Sequence, residues 1–383
     1  MTAERPSAAG CWPSASQLLL LKAAALGPAE SALAWREWLD SNDIERLDEG
    51  STRLLPAVDF NLRQQGIANP HAAVMAGLRR HALFRNQWLL RGAAQVNAML
   101  EQKQIPVLML KGAAICCLDA PSVSVRPMND VDLLVPRADA VRAMDTLLEH
   151  GFVSQARRPK ELIFVRHSTP FTRERTEIDL HWDVLSERHS LSTGWPFQGA
   201  RAFELAGRPA LAPDATDRLF HAIVHGLRYS DTAACWWPLD ALYVLRGPEP
   251  VDFERLIAVA VGHDVTRVLY DGLAYLRREL QVAVSDEVLA RLRSIRITIT
   301  TRLETFVRMH RSELLGELPM HLLQYRRLSE GRPLSQRLQA LPGHLAGVWQ
   351  LDAPRALPLA LAKKVVQRAR SWRTSVPPSK RAR

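Results

Sequence analysis

The sequence predicts an α+β protein in which a small mixed α/β core is framed by helical regions, and three observations carry that reading. Apolar residues recur at helical spacing from about Ser14 to Gln104. At Ile105-Pro106 the texture changes to short apolar runs separated by loops, and helical spacing returns after Ala212. Spacing of 3.6 marks helices, while brief apolar runs bounded by turn residues mark strands. The expected division is an N-terminal helical region (1–104), the α/β core (105–200), a C-terminal helical domain (201–330), and a linker with a basic tail (331–383).

In the first region, Ser31-Ala-Leu-Ala-Trp-Arg-Glu-Trp-Leu reads as an amphipathic helix whose Trp35 and Trp38 pack into a core. From His71 to Gln104, Val74, Leu78, Leu83, Trp88 and Leu89 define a long helix. Val107 to Leu110 is a short buried strand, followed by Lys111-Gly112 and a small apolar helix. Pro121 to Asn129 is a loop, and Val131 to Val135 is a second strand. Pro136 opens a helix that runs to about His150 and closes at Gly151. Glu161–Arg166 and Glu177–Trp182 read as two further strands. Helices follow from Pro213-Asp214 through Leu227, near Pro238–Arg246, Asp252–Val261 and Thr266–Leu280, and over Arg291–Leu315. A break lies between Ser329 and Ser335.

A chain of 383 residues with 47% hydrophobic composition is large enough for two or three domains and a substantial core. Its net charge of +10 is almost wholly local: Ala353 to Arg383 hold nine Lys/Arg and no Asp/Glu. The body is therefore near neutral, and the high pI says little about it. Cys11, Cys116, Cys117 and Cys235 show no metal-ligand spacing, and so few cysteines fit a reducing compartment. The opening Met1-Thr2-Ala3-Glu4-Arg5 lacks a signal-peptide layout, and no apolar run is long enough to span a bilayer. A soluble cytoplasmic protein is expected.

The chemistry concentrates in Asn129-Asp130-Val131-Asp132-Leu133-Leu134-Val135. Strand side chains alternate, so Asp130 and Asp132 are expected on one face. Neighbouring carboxylates repel and lose solvation, which a fold tolerates mainly when a cation neutralises them. Hard ions such as Mg²⁺ take carboxylate oxygens and often hold substrate phosphates as well. In Glu177-Ile178-Asp179-Leu180-His181-Trp182, Asp179 and His181 again share a face. If the two strands are neighbours, three carboxylates converge and could hold two divalent ions about 3.5–4 Å apart. The competing reading pairs these acids with arginines such as Arg126 or Arg173. Lys111-Gly112, between a strand and a helix, suits a phosphate-binding turn, because glycine permits close backbone approach and helix N-termini favour anions.

Together, Leu110-Lys-Gly-Ala-Ala, Arg126-Pro-Met-Asn-Asp130-Val-Asp132-Leu-Leu-Val and Ile178-Asp179-Leu-His-Trp182 carry a resemblance. With Leu211-Ala-Pro-Asp214, His225 and Trp237-Pro-Leu-Asp240-Ala-Leu downstream, the chain resembles the uncharacterised bacterial nucleotidyltransferase family of the DNA polymerase β-like superfamily. The likeness spans about residues 75 to 260. It implies a small polymerase-β-like mixed-sheet core in which Asp130 and Asp132 are paired metal ligands and Asp179 is the third catalytic carboxylate. Lys111 and Gly112 stand where the superfamily has Gly-Ser at its phosphate-binding turn; the serine hydroxyl is absent, and Gly112 lies 18 residues before Asp130. Lys111 or Arg126 either supplies the missing nucleotide contact as charge or serves as a structural ion-pair partner.

The implied reaction transfers a nucleoside monophosphate from an NTP, with ATP the expected donor, to an acceptor, and releases pyrophosphate. The implied cofactor is Mg²⁺, or Mn²⁺ in its place; the acceptor class could be a small molecule, a peptide or RNA. Two alternatives stand beside this: a non-catalytic regulatory or binding protein that keeps the fold, and a toxin-like enzyme acting on tRNA or protein. His181 could orient an acceptor, act as a base, or steady the carboxylates from behind. His221 and His225, at i and i+4, are better read as packed or lining the cleft than as a metal pair, since no third ligand is evident. The tail from Leu357 to Arg373 mixes Leu and Val with Lys and Arg and is available for contact with anionic surfaces; a solvated basic terminus is the simpler reading.

Overall fold

The computed structural model describes residues 10–185, 195–228, 236–310 and 317–375. Ser14 begins the first helix through a capping box: its Oγ accepts from the Gln17 backbone, while its own N–H donates to Gln17 Oε1. Helices α1 (Ala15–Ala25), α2 (Pro28–Ser41), α3 (Glu49–Gln64) and α4 (Ala72–Gln102) follow in turn. Trp35 and Trp38 are buried and stacked, with ring centroids 5.1 Å apart.

The core then runs β1 (Leu108–Met109), α5 (Lys111–Leu118), β2 (Val131–Leu134), α6 (Ala140–Glu149), β3 (Val153–Ser154), β4 (Ser168–Arg173), β5 (Thr176–His181), β6 (Arg201–Leu205) and β7 (Arg208–Ala212). These strands form one mixed sheet in the order β3-β4-β5-β2-β1-β7-β6. The β2/β5 and β1/β7 pairs are parallel and the others antiparallel. The sheet thus runs past residue 200, because β7 returns to pair with β1. Helices α7 (Ala215–Gly226), α8 (Trp237–Arg246), α9 (Phe253–Gly262), α10 (Thr266–Leu280), α11 (Asp286–Ser294), α12 (Ile299–Met309), α13 (Leu318–Leu328), α14 (Leu334–Val348) and α15 (Leu357–Ser375) complete the described chain.

Strand alternation divides the interior. Val131, Leu133, Ile178 and Leu180 pack with Leu89, Val96 and Met144 from α4 and α6. Leu108 and Leu134 point the other way, into a cluster where Leu20, Trp38 and Leu54 from the N-terminal helices meet Leu219, Trp237 and Leu269. Helices from both ends of the chain therefore share one core on the face that also carries Asp132 and Asp179.

Several elements differ from the sequence expectation. Glu161–Arg166 is not a strand: Pro159–Phe164 is a 3₁₀ helix that buries Leu162 and Ile163, since a short apolar run serves either structure. The strand instead is β4, masked in sequence by Pro170. It is tolerated because β3 pairs only with Phe171 and Thr172, which leaves β4 an edge at the proline. The helix expected over Arg291–Leu315 breaks into α11 and α12, since Thr298 caps a new start by accepting from Thr301 N–H; residues 311–316 lie outside the described residues. Cys235 also lies outside them.

Helix α4 also turns a different face inward. Val74, Leu83 and Trp88 are exposed, and the buried stripe is Met75, Ala82, Asn86, Leu89, Ala93, Val96 and Leu100. The stripe keeps the alternating three–four spacing of a packed helix, but small and polar members disguise it. Asn86 is its working residue. Its Nδ2 donates to the carbonyls of Val123 and Arg126, and its Oδ1 accepts from Met128 N–H. Arg85 adds bonds to the carbonyls of Met128 and Asn129, so α4 fixes the loop that delivers the acidic strand.

The α7–α8 corner depends on close approach at Gly226, where an added Cβ would lie 2.0 Å from Trp237 Cβ. Gly226→Ala is expected to destabilise the fold by about 1–3 kcal/mol through overpacking. Denaturant unfolding checks this, and an unchanged midpoint would show that the corner yields.

Candidate active site

Parallel pairing of β2 with β5 sets Asp132 opposite Asp179 and Leu134 opposite His181. Apolar neighbours on both strands face the α4/α6 side, so register alone forces the two carboxylates and the imidazole onto the other face. His181 Nε2 lies 2.9 Å from Asp132 Oδ1 and 3.0 Å from Asp179 Oδ2. The ligand atoms of Asp132, Asp179 and His181 all lie within 4.8 Å of one another. Ser168, across the β4/β5 pair, donates its hydroxyl to Asp179 Oδ2 at 3.1 Å. Asp179 Oδ1 is buried without a hydrogen-bond partner among the described residues.

Asp130 stands apart from this trio. It immediately precedes β2, and its side chain is exposed. Solvent reaches the carboxylate, yet surrounding protein displaces much of the bulk water. That loss of solvation, with the nearby Asp132 charge, pushes its carboxyl up to about 6. Asp132 behaves in the opposite way. Burial opposes its charge, but Lys111 and His181 outweigh that cost and hold it well below the ordinary carboxylate range. For Asp179, too, burial is overcome by His181. Burial alone would depress His181, but Asp179 and the hydrogen bonds to both acids lift it to about 9. In the metal-free protein, cationic Lys111 and His181 thus neutralise two carboxylates.

The structure places Lys111 in an ion pair with Asp132 Oδ1. Its backbone has a left-handed φ of 44°, which a side chain adopts only at a cost. Gly112 has a packing reason: an added Cβ would lie 2.3 Å from Arg126 Nη1 and 2.8 Å from Met128 Sδ. Arg126 takes the ion-pair role with a partner on α8, its Nε and Nη2 donating to Asp240 Oδ1 and Oδ2 at 2.6 and 2.8 Å. Burial works against its charge, but Asp240 holds it above the ordinary arginine range. Arg173 does not approach the acids and donates to the His150 carbonyl.

Beside Lys111 lies a cavity of about 280 Å³ that its neighbours on α3, α7 and α8 help to close. His221 and His225 both line it, edge to face with centroids 5.4 Å apart, and burial keeps both well below the ordinary imidazole range. Sequence reasoning missed Ser168, Arg53 and Trp236. No local motif marks them, because each reaches the site only through tertiary packing.

A family described as "uncharacterised nucleotidyltransferase" matches residues 51–278, from within α3 to within α10, a span that holds Asp130, Asp132, Asp179 and Asp240. The chain belongs to this nucleotidyltransferase family. It is therefore a transferase with an α+β mixed-sheet fold. Among solved structures, the antibiotic-resistance factor ANT(2'')-Ia is similar at 14% identity with a TM-score of 0.31, covering 50% of this chain and 94% of its own. No curated protein matches the chain. Among the described residues of this nucleotidyltransferase, no helix is long and apolar enough to cross a membrane.

Proposed function

We propose that this nucleotidyltransferase moves a nucleoside monophosphate from an NTP, with ATP the expected donor, to an acceptor drawn from small molecules, peptides or RNA, and releases pyrophosphate. The observation that carries the reading is the side-by-side register of Asp132 and Asp179, with Asp130 adjacent, on the face that meets α7 and α8. The oxygen-rich donor set and the orphaned Asp179 Oδ1 fit Mg²⁺ or Mn²⁺. Held by Asp130, Asp132 and Asp179, such an ion would neutralise developing phosphate charge.

The chain's own residues do the rest. His181, locked between Asp132 and Asp179, keeps the two carboxylates in fixed orientation. Lys111, on a flexible stem, shifts its ammonium from Asp132 to the donor phosphates when the site loads. Arg126, engaged by Asp240, shapes the loop before β2 and does not need to touch the nucleotide.

Parallel reactions with α-labelled and γ-labelled ATP, Mg²⁺ and a cell extract test the reaction type. Label reaching a product only from the α-position supports nucleotidyl transfer; label arriving only from the γ-position replaces it with phosphoryl transfer.

The same reading assigns the protein to the cytoplasm, in keeping with the free thiols of Cys11, Cys116 and Cys117. It also assigns α15 a contact with anionic surfaces. Leu359, Val365 and Val366 are exposed beside Lys363 and Lys364, while Leu357 is buried. Removing the residues after Asp352 is expected to leave NTP binding intact and to lower retention on heparin, with the difference fading in high salt. Equal retention would remove the tail from this role.

A further inference from the structure

The break between α11 and α12 opens, against the start of α10, a groove of about 670 Å³ that shares no residue with the cavity beside Lys111. Its lining carries Arg267 from α10, Arg293 from α11, Arg296 from the connecting segment and Arg302 from α12, and no acidic side chain among the described residues. Residues 291–303 hold four arginines and no Asp or Glu, although acids and bases nearly balance over the body of the chain. Acids that could offset these charges are turned elsewhere. Glu304, on α12 itself, accepts from Arg327; Glu254 accepts from Arg291 and Asp286 from Arg277. Glu287, at the opposite end of α11 from Arg293, does not line the groove. Arg267 is offset by Asp271, whereas Arg293, Arg296 and Arg302 are exposed and have no ion-pair partner among the described residues. Exposed guanidiniums keep their water, so gathering them costs the fold little and creates a local positive field.

The backbone sets these side chains in place. Leu292 is buried and Ile295 and Ile297 are half-buried, with Ile295 packed against the core. Ile295 and Thr298 are extended, and side chains alternate along an extended chain, so Arg296 turns outward between the two isoleucines. Thr298 then caps α12, which brings Arg302 and Thr305 to the groove wall. On α10, Arg267 lies 5.6 Å from the Tyr270 ring centroid and donates to Asp271 at 2.9 Å, which holds its guanidinium.

A single phosphate engages one or two guanidiniums. Four of them, spread over three helices and the segment joining two, match a chain of phosphates. Tyr270 is the one aromatic residue of the lining and is half-buried, which suits backbone contact and not the stacking of successive bases. An acidic protein would call for an apolar centre to the interface, but the apolar residues of the lining are buried or half-buried. Ile299, Leu303 and Phe306 of α12 are exposed and lie outside the lining. RNA is the nucleic acid that proteins meet chiefly as single strands and loops.

We propose that this arginine groove binds the phosphate backbone of single-stranded RNA through Arg267, Arg293, Arg296 and Arg302, with little dependence on sequence. It goes beyond the nucleotidyltransferase reading and uses none of the acidic residues. Arg293, Arg296 and Arg302 also lie after residue 278, where the family match ends.

The test follows the fluorescence anisotropy of a labelled single-stranded RNA of mixed sequence, titrated with the full chain in EDTA over a range of salt. Wild-type protein is expected to bind. Arg293→Gln/Arg296→Gln/Arg302→Gln should weaken binding about tenfold or more and reduce the slope of log Kd against log salt by about two, from about 0.7 per lost phosphate contact. A charge-matched control, Arg36→Gln/Arg80→Gln/Arg91→Gln, removes three exposed arginines from α2 and α4 and should change affinity less than about threefold. The basic tail stays in both variants, so its contribution cancels. If the groove triple fails to give a folded circular dichroism spectrum, Arg296→Gln alone should show a smaller loss in the same direction. No RNA binding by wild type, or equal losses in the two triple variants, overturns the proposal. Groove-dependent binding of polyglutamate or of anionic vesicles without binding of RNA overturns it in favour of an acidic protein or a membrane. Because metal is chelated and no NTP is present, this result stands or falls apart from the labelled-ATP assay of the reaction.

Discussion

Asp132→Asn is expected to abolish turnover and to weaken the metal-free fold, whereas Asp130→Asn abolishes turnover and leaves that fold equally or more stable. Both remove a carboxylate proposed to hold the divalent ion. The loss of several kcal/mol of charge stabilisation corresponds to about three orders of magnitude in kcat/KM. Their effects on stability diverge because their surroundings do. Asp132 is buried and bound to both Lys111 and His181, so neutralising it leaves Lys111 without its carboxylate and His181 with Asp179 alone. Breaking a buried pair in this way costs about 3–5 kcal/mol.

Asp130 is exposed and its carboxyl is raised to about 6 by lost solvation and the Asp132 charge. A folded-state value raised above the unfolded one gives stability that is full below the unfolded value and lost as pH rises through the folded one. Ionised Asp130 therefore works against the metal-free fold near neutrality. Asp130→Asn should raise the melting temperature in EDTA at pH 7 to 8 and change little at pH 4. A stabilised Asp132→Asn would show that the Lys111 and His181 pairs contribute nothing.

Loss of Asp240 should be the most damaging change outside the acidic strands. Its carboxylate receives two hydrogen bonds from Arg126, and the two side chains are 8% and 11% exposed. Arg126 also lies 5.9 Å from the Trp236 ring centroid and packs against Gly112, so one guanidinium joins α5, α8 and the loop before β2. Asp240→Ala leaves that cation buried and unpaired, at an expected cost of about 3–5 kcal/mol in denaturant unfolding. The double change Arg126→Met with Asp240→Leu should recover most of the stability, because well-packed apolar residues can replace a buried pair. Equal losses in the single and double variants would show that packing by Arg126, and not its charge pair, holds the junction.

The acidic strands were legible because two strong constraints agree there. Alternation fixed which face Asp179 and His181 share, and the apolar Ile178 and Leu180 fixed which face is core. The same rule was less informative for Asp130, which precedes β2 and is exposed, so its equivalence to Asp132 ends at the first strand residue. Strand β4 was hidden by Pro170, whose acceptability depends on how far β3 extends, a tertiary fact. In α4 the inward stripe passed through Ala82, Asn86 and Ala93, which a search for large apolar residues overlooks. Arg53 and Trp236 had no signal at all, because they come from distant helices and meet only at the cavity. Local chemistry is written in strands; the wall opposite them is written in packing.

The central claim is that Asp130, Asp132 and Asp179 together make a divalent-ion site, and the most direct test is the electron paramagnetic resonance signal of free Mn²⁺ titrated with protein. Wild-type protein should deplete the free-ion signal relative to a protein-free control, and relative to an ATP–Mn²⁺ control when ATP is present, and Mg²⁺ should restore it. Asp132→Asn and Asp179→Asn should leave the signal largely undiminished while keeping a folded circular dichroism spectrum. Depletion by those variants equal to that of wild type, or no depletion by wild type with ATP, would contradict the account.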